Sequence, residues 1–537
     1  MNKVNYNRFF HLHTVTGIVI SIGLYIIFFA GAFTLFWDEI VAWENASAIA
    51  DKTQISSLND VDIDQLIQKL ESSGYTVLGR DISFYYSDSE PDLYVYLSAS
   101  KDSLQPNAGK EYELSVNPKT YVTENYKDSK YSMGFLFYRL HYFYQLGMFG
   151  YYLAGLVSFF FLFAIVTGVI VHWKKIISNF YVFRPWAKLK TVWTDAHTVL
   201  GMIGLPFQFM YALTGAMFCL WVLVEPLENL FPEKETDKNT IEMVDSEFAY
   251  SSNEDTSHLI TPFLDSLQNV WKGFASNSIE VSDYGNLSNT ITVSGTLKKT
   301  KQFYHHASIT YNFATNKVTA LTDPNDLKYT KAVYEVAGNL HHAEYGEIGT
   351  WQNYMLKTIY FLLTLITCFV IITGVLIWLT ARDKKHIPEK QRKFNAQVGY
   401  IYLALCLTLY PITALAFIVS KLIPESLNPE RKLILYWVLF GGWLVASIFF
   451  WFKKNNYFTN KYTLLAGGVL GLGIPLVNGL STGNWFWITF SNNNYDVFAF
   501  DMLWLLMATV SLYAVFKIND KSLTKQKEVK EGFKSVM

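Results

Sequence analysis

The chain is short of charge. Of its 537 residues only 17% are Asp, Glu, Lys or Arg, against roughly a quarter in soluble domains. With 51% of residues hydrophobic and 17% aromatic, too little polar surface remains for a water-soluble globule of this size, and the composition is that of an integral membrane protein. Cysteine is almost missing: Cys219, Cys368 and Cys406 are the three present. Each lies inside an apolar run, where a thiol packs as a small hydrophobe. The absence of C-x-x-C-H excludes covalently attached c-type haem, and the absence of any C-x-x-C pair argues against zinc or iron–sulfur sites. There is no G-x-G-x-x-G on a strand–helix turn, no Walker motif and no G-x-S-x-G elbow. No built-in flavin, nucleotide or acyl-transfer site is therefore expected. The basic residues form no long stripe and the formal net charge is −1, so nucleic acid is excluded as a partner.

Long apolar runs are what the chain has instead. A hydrocarbon core of about 30 Å takes roughly 20 apolar residues in helix. Runs of that kind occur near 14–37, 149–173, 197–224, 354–380, 396–420, 433–452, 463–482 and 498–517, which predicts eight transmembrane helices. The first is longer than the roughly 7–15 apolar residues of a secretory signal and reads as an anchor, although Ala46-Ser47-Ala48 resembles a cleavage site. The connection at 174–196 carries Lys174, Lys175, Arg184, Lys188 and Lys190, and the loop at 381–395 carries Arg382, Lys384, Lys385, Lys390, Arg392 and Lys393. By the positive-inside rule both face the cytoplasm, as do the two termini, including the tail at 518–537. Lys421, Arg431 and Lys432 fall on the opposite side and dissent from that orientation.

The stretches 38–148 and 225–353 then lie outside the cytoplasm. Each contains one helical segment, DVDIDQLIQKLESSGY and HLITPFLDSLQNVWKGF, followed by alternating strands such as DLYVYLSAS and NTITVSG. A helix, an exterior α+β insertion and a returning helix thus occur twice, and the first four helices read as a duplicated bundle.

Histidine sharpens the pattern. RFFHLHTVTG at 8–17 and DAHTVLG at 195–201 both place His-Thr-Val-x-Gly at the start of an apolar run, and Gly31 and Gly215 follow His13 and His197 at the same offset (31 − 13 = 18; 215 − 197 = 18). On the outer side His141, in FYRLHYFYQLGMFG, and His341, in GNLHHAEYGEIG, precede helices two and four. From residue 396 onward there is no histidine, so whatever needs imidazole belongs to the first four helices. Ionisable groups at a membrane helix are costly unless paired, hydrated or ligating. Two imidazoles from opposite halves at each surface fit a b-type haem, which needs paired axial ligands, small residues that admit the ring, and cations for its propionates. Gly17 and Gly201 stand one turn from His13 and His197; Arg8, Lys174 or Lys175 could meet propionates on the inner side and Arg139 on the outer. His172, His342 and His11 are alternative ligands. His305, His306, His258 and His386 are given no role. A metal permease would add carboxylates, thiolates or methionines within the spans, and the first four runs contain no acidic residue.

The motifs LHTVTG and AHTVLG, RLHYFYQLGMFG and NLHHAEYGEIG, and the matched endings IVTGVIVHWKK and IITGVLIWLTAR resemble, in this order over residues 1 to about 385, the PepSY-associated transmembrane helix family of iron-regulated, PiuB-like membrane proteins. The resemblance implies that the exterior insertions are PepSY-like modules. It also implies a bacterial inner-membrane reductase with two non-covalent haems b, His13 with His197 holding one and His141 with His341 the other, which reduces a ferric siderophore or similar periplasmic iron complex. Here Ala30-Gly31 replaces the more usual Thr-Gly of helix one, His172 is extra, and four further helices stand where some relatives carry a flavin reductase portion. The electron donor would then be separate, quinol or a cytoplasmic reductase. The competing expectations are a non-enzymatic protein whose modules bind a periplasmic partner, and a metal or siderophore permease.

Overall fold

The computed structural model describes residues 3–45, 55–87, 92–126, 131–175, 181–187, 189–222, 260–286, 290–297, 304–325, 329–344, 351–424 and 430–518, with Ser178, Leu327 and Leu427. The Ala46-Ser47-Ala48 stretch, Lys188, His258 and the tail beyond 518 lie outside the described residues. In chain order the elements are α1 (Lys3–Thr34), α2 (Trp37–Asn45), α3 (Ile63–Ser72), β1 (Ile82–Tyr85), β2 (Leu93–Leu97), β3 (Tyr112–Val116), β4 (Thr123–Asn125), α4 (Met133–His141) and α5 (Gly147–His172). There follow α6 (Leu189–Ile203), α7 (Leu205–Cys219), α8 (Ile260–Val270), β5 (Phe274–Ser282), β6 (Thr290–Leu297), β7 (His306–Asn312), β8 (Lys317–Thr322), α9 (Tyr329–His342) and α10 (Trp351–Ala381). The chain closes with α11 (Glu389–Leu422), α12 (Arg431–Lys453), α13 (Asn456–Thr482), α14 (Phe486–Ser491) and α15 (Tyr495–Lys517).

Among the described residues seven helices are long and apolar enough to cross a membrane: α1, α5, α10, α11, α12, α13 and α15. The eighth expected span, 197–224, is instead a bent pair in which α6 and α7 meet at 69°. Gly204 sits at the break and Pro206 at the first turn of α7; proline has no N–H to give to the preceding turn, so the helix restarts there. The chain divides into two units, one of residues 1–50, 131–221 and 349–537, the other of 51–130 and 222–348.

The second unit differs from two separate modules. Its strands form one antiparallel sheet in the order β4-β3-β2-β1-β5-β6-β7-β8, joined at the middle where Ile82 faces Val281 and Phe84 faces Ile279. Alternation sends Ile82, Phe84, Val95, Ile279, Val281, Ile291, Val293 and Ile309 to the buried side. They share a single core with Leu66, Ile67 and Leu70 of α3 and Phe263, Leu264 and Leu267 of α8. The two helices are also tied end to end, since Asp64 of α3 accepts the N–H groups of Thr261 (2.9 Å) and Ile260 (3.3 Å) at the start of α8. Apart, each half would expose β1 or β5 as an unpaired edge; pairing them removes both edges and completes one apolar core. Phe84→Ala is expected to cost about 3–5 kcal/mol, seen as faster limited proteolysis of the full chain in 82–125 and 274–322 together, because one core serves both halves.

The membrane unit takes in residues that the sequence places in the first exterior loop, α2 and α4. Helix α1 packs beside α4, α5 and α10; α7 lies against α5 and α6 against α10. The dissenting cations are internal. Arg431 pairs with Glu44 at 2.7 Å, with side chains only 12% and 3% exposed; Lys421 donates to the carbonyls of Trp43 and Glu44; and Lys432 stands 5.6 Å over the ring of Tyr131. The buried Arg431–Glu44 pair neutralises its charge within the protein, so Arg431 does not report on which side of the membrane its loop lies.

Candidate functional site

Three histidines of the membrane unit are held in the same way by a neighbouring helix. His13 of α1 has its Nδ1 2.8 Å from the carbonyl of Ala164 in α5. His197 of α6 has its Nδ1 2.9 Å from the carbonyl of Val370 in α10. His141, the last residue of α4, has its Nδ1 2.8 Å from the carbonyl of Ile27 in α1. A carbonyl only accepts, so in each case Nδ1 carries the proton and donates, and in the neutral ring the lone pair belongs to Nε2.

Four residues beyond each acceptor stands a glycine: Gly168 after Ala164, Gly374 after Val370 and Gly31 after Ile27. Residues four apart lie one above the other on a helix face, so the imidazole that bonds the carbonyl lies over the glycine. A Cβ at Gly31 would come within 2.7 Å of His141 Nδ1; at Gly168 it would come within 3.0 Å of His13 Cε1; at Gly374, within 3.1 Å of His197 Cε1. Any side chain there would push the ring away. Preceding two of these glycines is a threonine whose hydroxyl donates to the same acceptor carbonyl, Thr167 to Ala164 at 3.0 Å and Thr373 to Val370 at 2.9 Å. Helix α1 has Ala30 there, and Ile27 accepts from His141 without a threonine beside it.

The structure brings His13 and His197 together: their ring centres are 6.3 Å apart with the planes at 70°. His172 is the last residue of α5, the helix whose Ala164 carbonyl seats His13. His11 is exposed. His141 belongs to the membrane unit, and His341 and His342, with ring centres 5.4 Å apart at the end of α9, belong to the sheet unit. Along α1 the level of Ile27 lies about 21 Å from that of His13 (27 − 13 = 14 residues at about 1.5 Å), a large part of a hydrocarbon thickness of about 30 Å. At Gly17 a Cβ would meet no atom within 4 Å, and at Gly201 only Val370 at 3.9 Å, so both glycines next to the His13–His197 pair border open space.

Two expectations change here. His13 and His197 do not open their helices; α1 begins at Lys3 and α6 at Leu189, which puts the imidazoles 10 (13 − 3) and 8 (197 − 189) residues in. The longer α6 also takes in an acidic residue, Asp195, two positions before His197. Its carboxylate is buried and receives Arg184 in a fork, Nε at 2.8 Å and Nη2 at 2.8 Å, with the Arg184 backbone N–H at 3.1 Å. The loop that supplies Arg184 thereby anchors α6 beside its histidine. After His141 the chain reverses tightly. Phe143 takes a left-handed φ of 57°, and its carbonyl approaches Gly150 so closely that a Cβ there would lie 1.9 Å from it. The RLHYFYQLGMFG motif is thus the turn that delivers His141 to α1.

The profile of the PepSY-associated TM region matches residues 10–381. The chain belongs to this family. No curated protein matches it. It is a multi-pass membrane protein, and the three histidine seats, Arg184 and Asp195 all lie inside the PepSY-associated TM region, whereas α11 to α15 lie beyond it. Sequence reasoning found the histidines of the PepSY-associated TM region but not their acceptors. The Thr-Gly pairs were the signal available: they mark the carbonyl three residues upstream and the gap one residue on.

Gly31→Ala is expected to displace His141 from Ile27 at about 1–3 kcal/mol of overpacking, read as a change in the His141 ring-nitrogen resonances of selectively labelled protein.

Proposed function

We propose that this protein is a transmembrane di-haem b oxidoreductase that moves electrons outward to a ferric siderophore or similar iron complex in support of iron uptake. The observation that carries the reading is the His13–His197 pair. His13 and His197 come from different helices, α1 and α6, and would hold one haem iron between them through ring nitrogen. The pair stands at 6.3 Å, each ring has Nδ1 engaged by a carbonyl, and Nε2 is the nitrogen left with a lone pair. An axial haem ligand needs such a tautomer, held by a hydrogen bond behind it.

In this reading His13 and His197 hold the inner haem, and His141 with His341 the outer one, with His342, His172 and His11 as alternates. His141 is supported by its seat on Ile27 and Gly31, and His341 by the sequence repeat. Bound haem supplies one-electron chemistry at a potential tuned by its axial ligands and surroundings. The chain's own part is to fix two imidazoles near opposite ends of α1, to keep their Nδ1 protons on carbonyls so that Nε2 stays a donor, and to exclude water with packed helices. The chemistry delivered is one electron to Fe(III), whose hard-oxygen chelate binds Fe(II) far less well and so releases it. The electron comes from quinol or a cytoplasmic reductase. Eight spans, with α6 and α7 as one broken span, a duplicated first half, the sheet unit in the periplasm and both termini in the cytoplasm of a bacterial inner membrane complete the reading; the basic loops at 174–196 and 381–395 support that orientation. The iron complex as substrate follows from the family resemblance.

Protein purified from haem-replete cells should contain two haems b per chain, and His13→Ala and His141→Ala should each halve that content. Two low-spin ferric haem signals are expected, one of which His13→Ala removes. Dithionite-reduced protein mixed anaerobically with ferric chelates should reoxidise; a folded, colourless protein would overturn the reading and favour a non-enzymatic or permease role.

A further inference from the structure

Helix α4 is nine residues long and ends in His141. From Met133 to His141 it spans about 12 Å (8 residues at about 1.5 Å). One end is fixed by the His141 Nδ1–H bond to Ile27. The other is fixed by groups that include one from outside the PepSY-associated TM region. Glu44, at the end of α2, accepts the N–H of Met133 at 2.8 Å with Oε2 and the Nη2 of Arg431 at 2.7 Å with Oε1. Arg431 spends its remaining donors on the same neighbourhood: Nε to the carbonyl of Tyr131 at 2.9 Å, one residue before the Ser132 cap of α4, and Nη1 to the carbonyl of Ser420 at 2.8 Å near the end of α11.

We propose that Arg431, the first residue of α12, is a positioning residue for His141, acting through Glu44 and the N-terminus of α4. The proposal rests on the reading of His141 as a haem ligand. Between its ends α4 is held by apolar contacts of Leu136, Phe137 and Leu140, with Phe137 stacked on Phe417 at 5.8 Å. Apolar packing of these residues sets which face of α4 turns inward, and the hydrogen bonds at its two ends add a directional restraint to it. A turn of one residue, about 100°, would carry His141 off the Ile27 carbonyl. The bonds that reach the N-terminus from other elements resist that turn, and they come from the Glu44 carboxylate and the Arg431 guanidinium. Burial raises the pKa of Glu44, while Arg431, the Met133 N–H, Ser420 and Lys421 pull it back down, so losing Arg431 removes the largest of these compensations and weakens the anchor of α4. The helices beyond the family region thereby hold the outer ligand in register.

The test uses the full-length, haem-loaded protein with Glu44→Gln and Arg431→Lys, and Arg392→Gln in the exposed pair with Asp383 as control. Hydrogen–deuterium exchange over 133–141 should quicken about tenfold in both variants and not in the control. The low-spin ferric signal that His141→Ala removes should shift or fall, while the one that His13→Ala removes stays as in the parent. Unchanged exchange over 133–141 in Glu44→Gln overturns the proposal, as does an equal change in both haem signals. Exchange is read with or without cofactor: a parent protein without haem overturns the di-haem reading, and quickened exchange in that protein still supports Arg431 as the anchor of α4.

Discussion

The hydrogen bond from an imidazole Nδ1 to a helix carbonyl in the neighbouring span is the constraint on which the membrane unit depends. A carbonyl inside a helix already accepts from the residue one turn on, and its second lone pair is open only where the helix surface lets another donor approach. Glycine four residues along opens that approach by removing the side chain that would lie over it. Seat and ring are therefore matched: α1 must stand close to α5 for His13 to reach Ala164, α6 close to α10 for His197 to reach Val370, and α4 close to α1 for His141 to reach Ile27. A bond of this kind is individually modest in free energy, but in an apolar setting the alternative is an unsatisfied donor, which makes the arrangement specific.

Around this constraint the rest of the unit is arranged to keep helices from sliding. Asp195 and Arg184 anchor α6 just before His197. A buried pair, Lys357 with Glu39 at 2.7 Å, joins α10 to α2, and Asp501 in α15 accepts from Trp43 at 2.9 Å and from Asn478 at 3.1 Å. The Lys357–Glu39 pair ties α10, and the Trp43–Asp501 bond ties α15, to α2, the segment that follows α1. Such groups add little net stability once their desolvation is counted. Their value lies in register, because helices in lipid lack a hydrophobic driving force toward one another and are placed by packing and polar contacts.

The sheet unit obeys a different rule. In water the exposed edge of a strand is a liability and a half-covered apolar face is unstable, so two insertions separated by residues 131–221 of the membrane unit pair β1 with β5 and share one core. Alternation in ISFY, LYVYL and TITVSG already signals strands with one buried face. Which edge meets which is decided by shape and register between segments far apart in sequence.

By itself the sequence determined what is local. Apolar runs longer than a bilayer, period-two strands, proline and glycine at breaks, and basic loops follow from one stretch of chain at a time, and the four principal histidines stood out because ionisable groups are costly at membrane depth. The tertiary structure alone decided what depends on two segments meeting: the carbonyls of Ala164, Val370 and Ile27 as acceptors, the glycines beneath the rings, Asp195 neutralised by Arg184, and the burial of Lys421 and Arg431 that made them appear as misplaced loop charges. Every residue carries a carbonyl; a Thr-Gly pair follows two of the acceptors, but α1 has Ala30-Gly31 and Thr214-Gly215 lies against Ser158, so the pair alone does not single out the one that will accept. Only the approach of a second helix selects it.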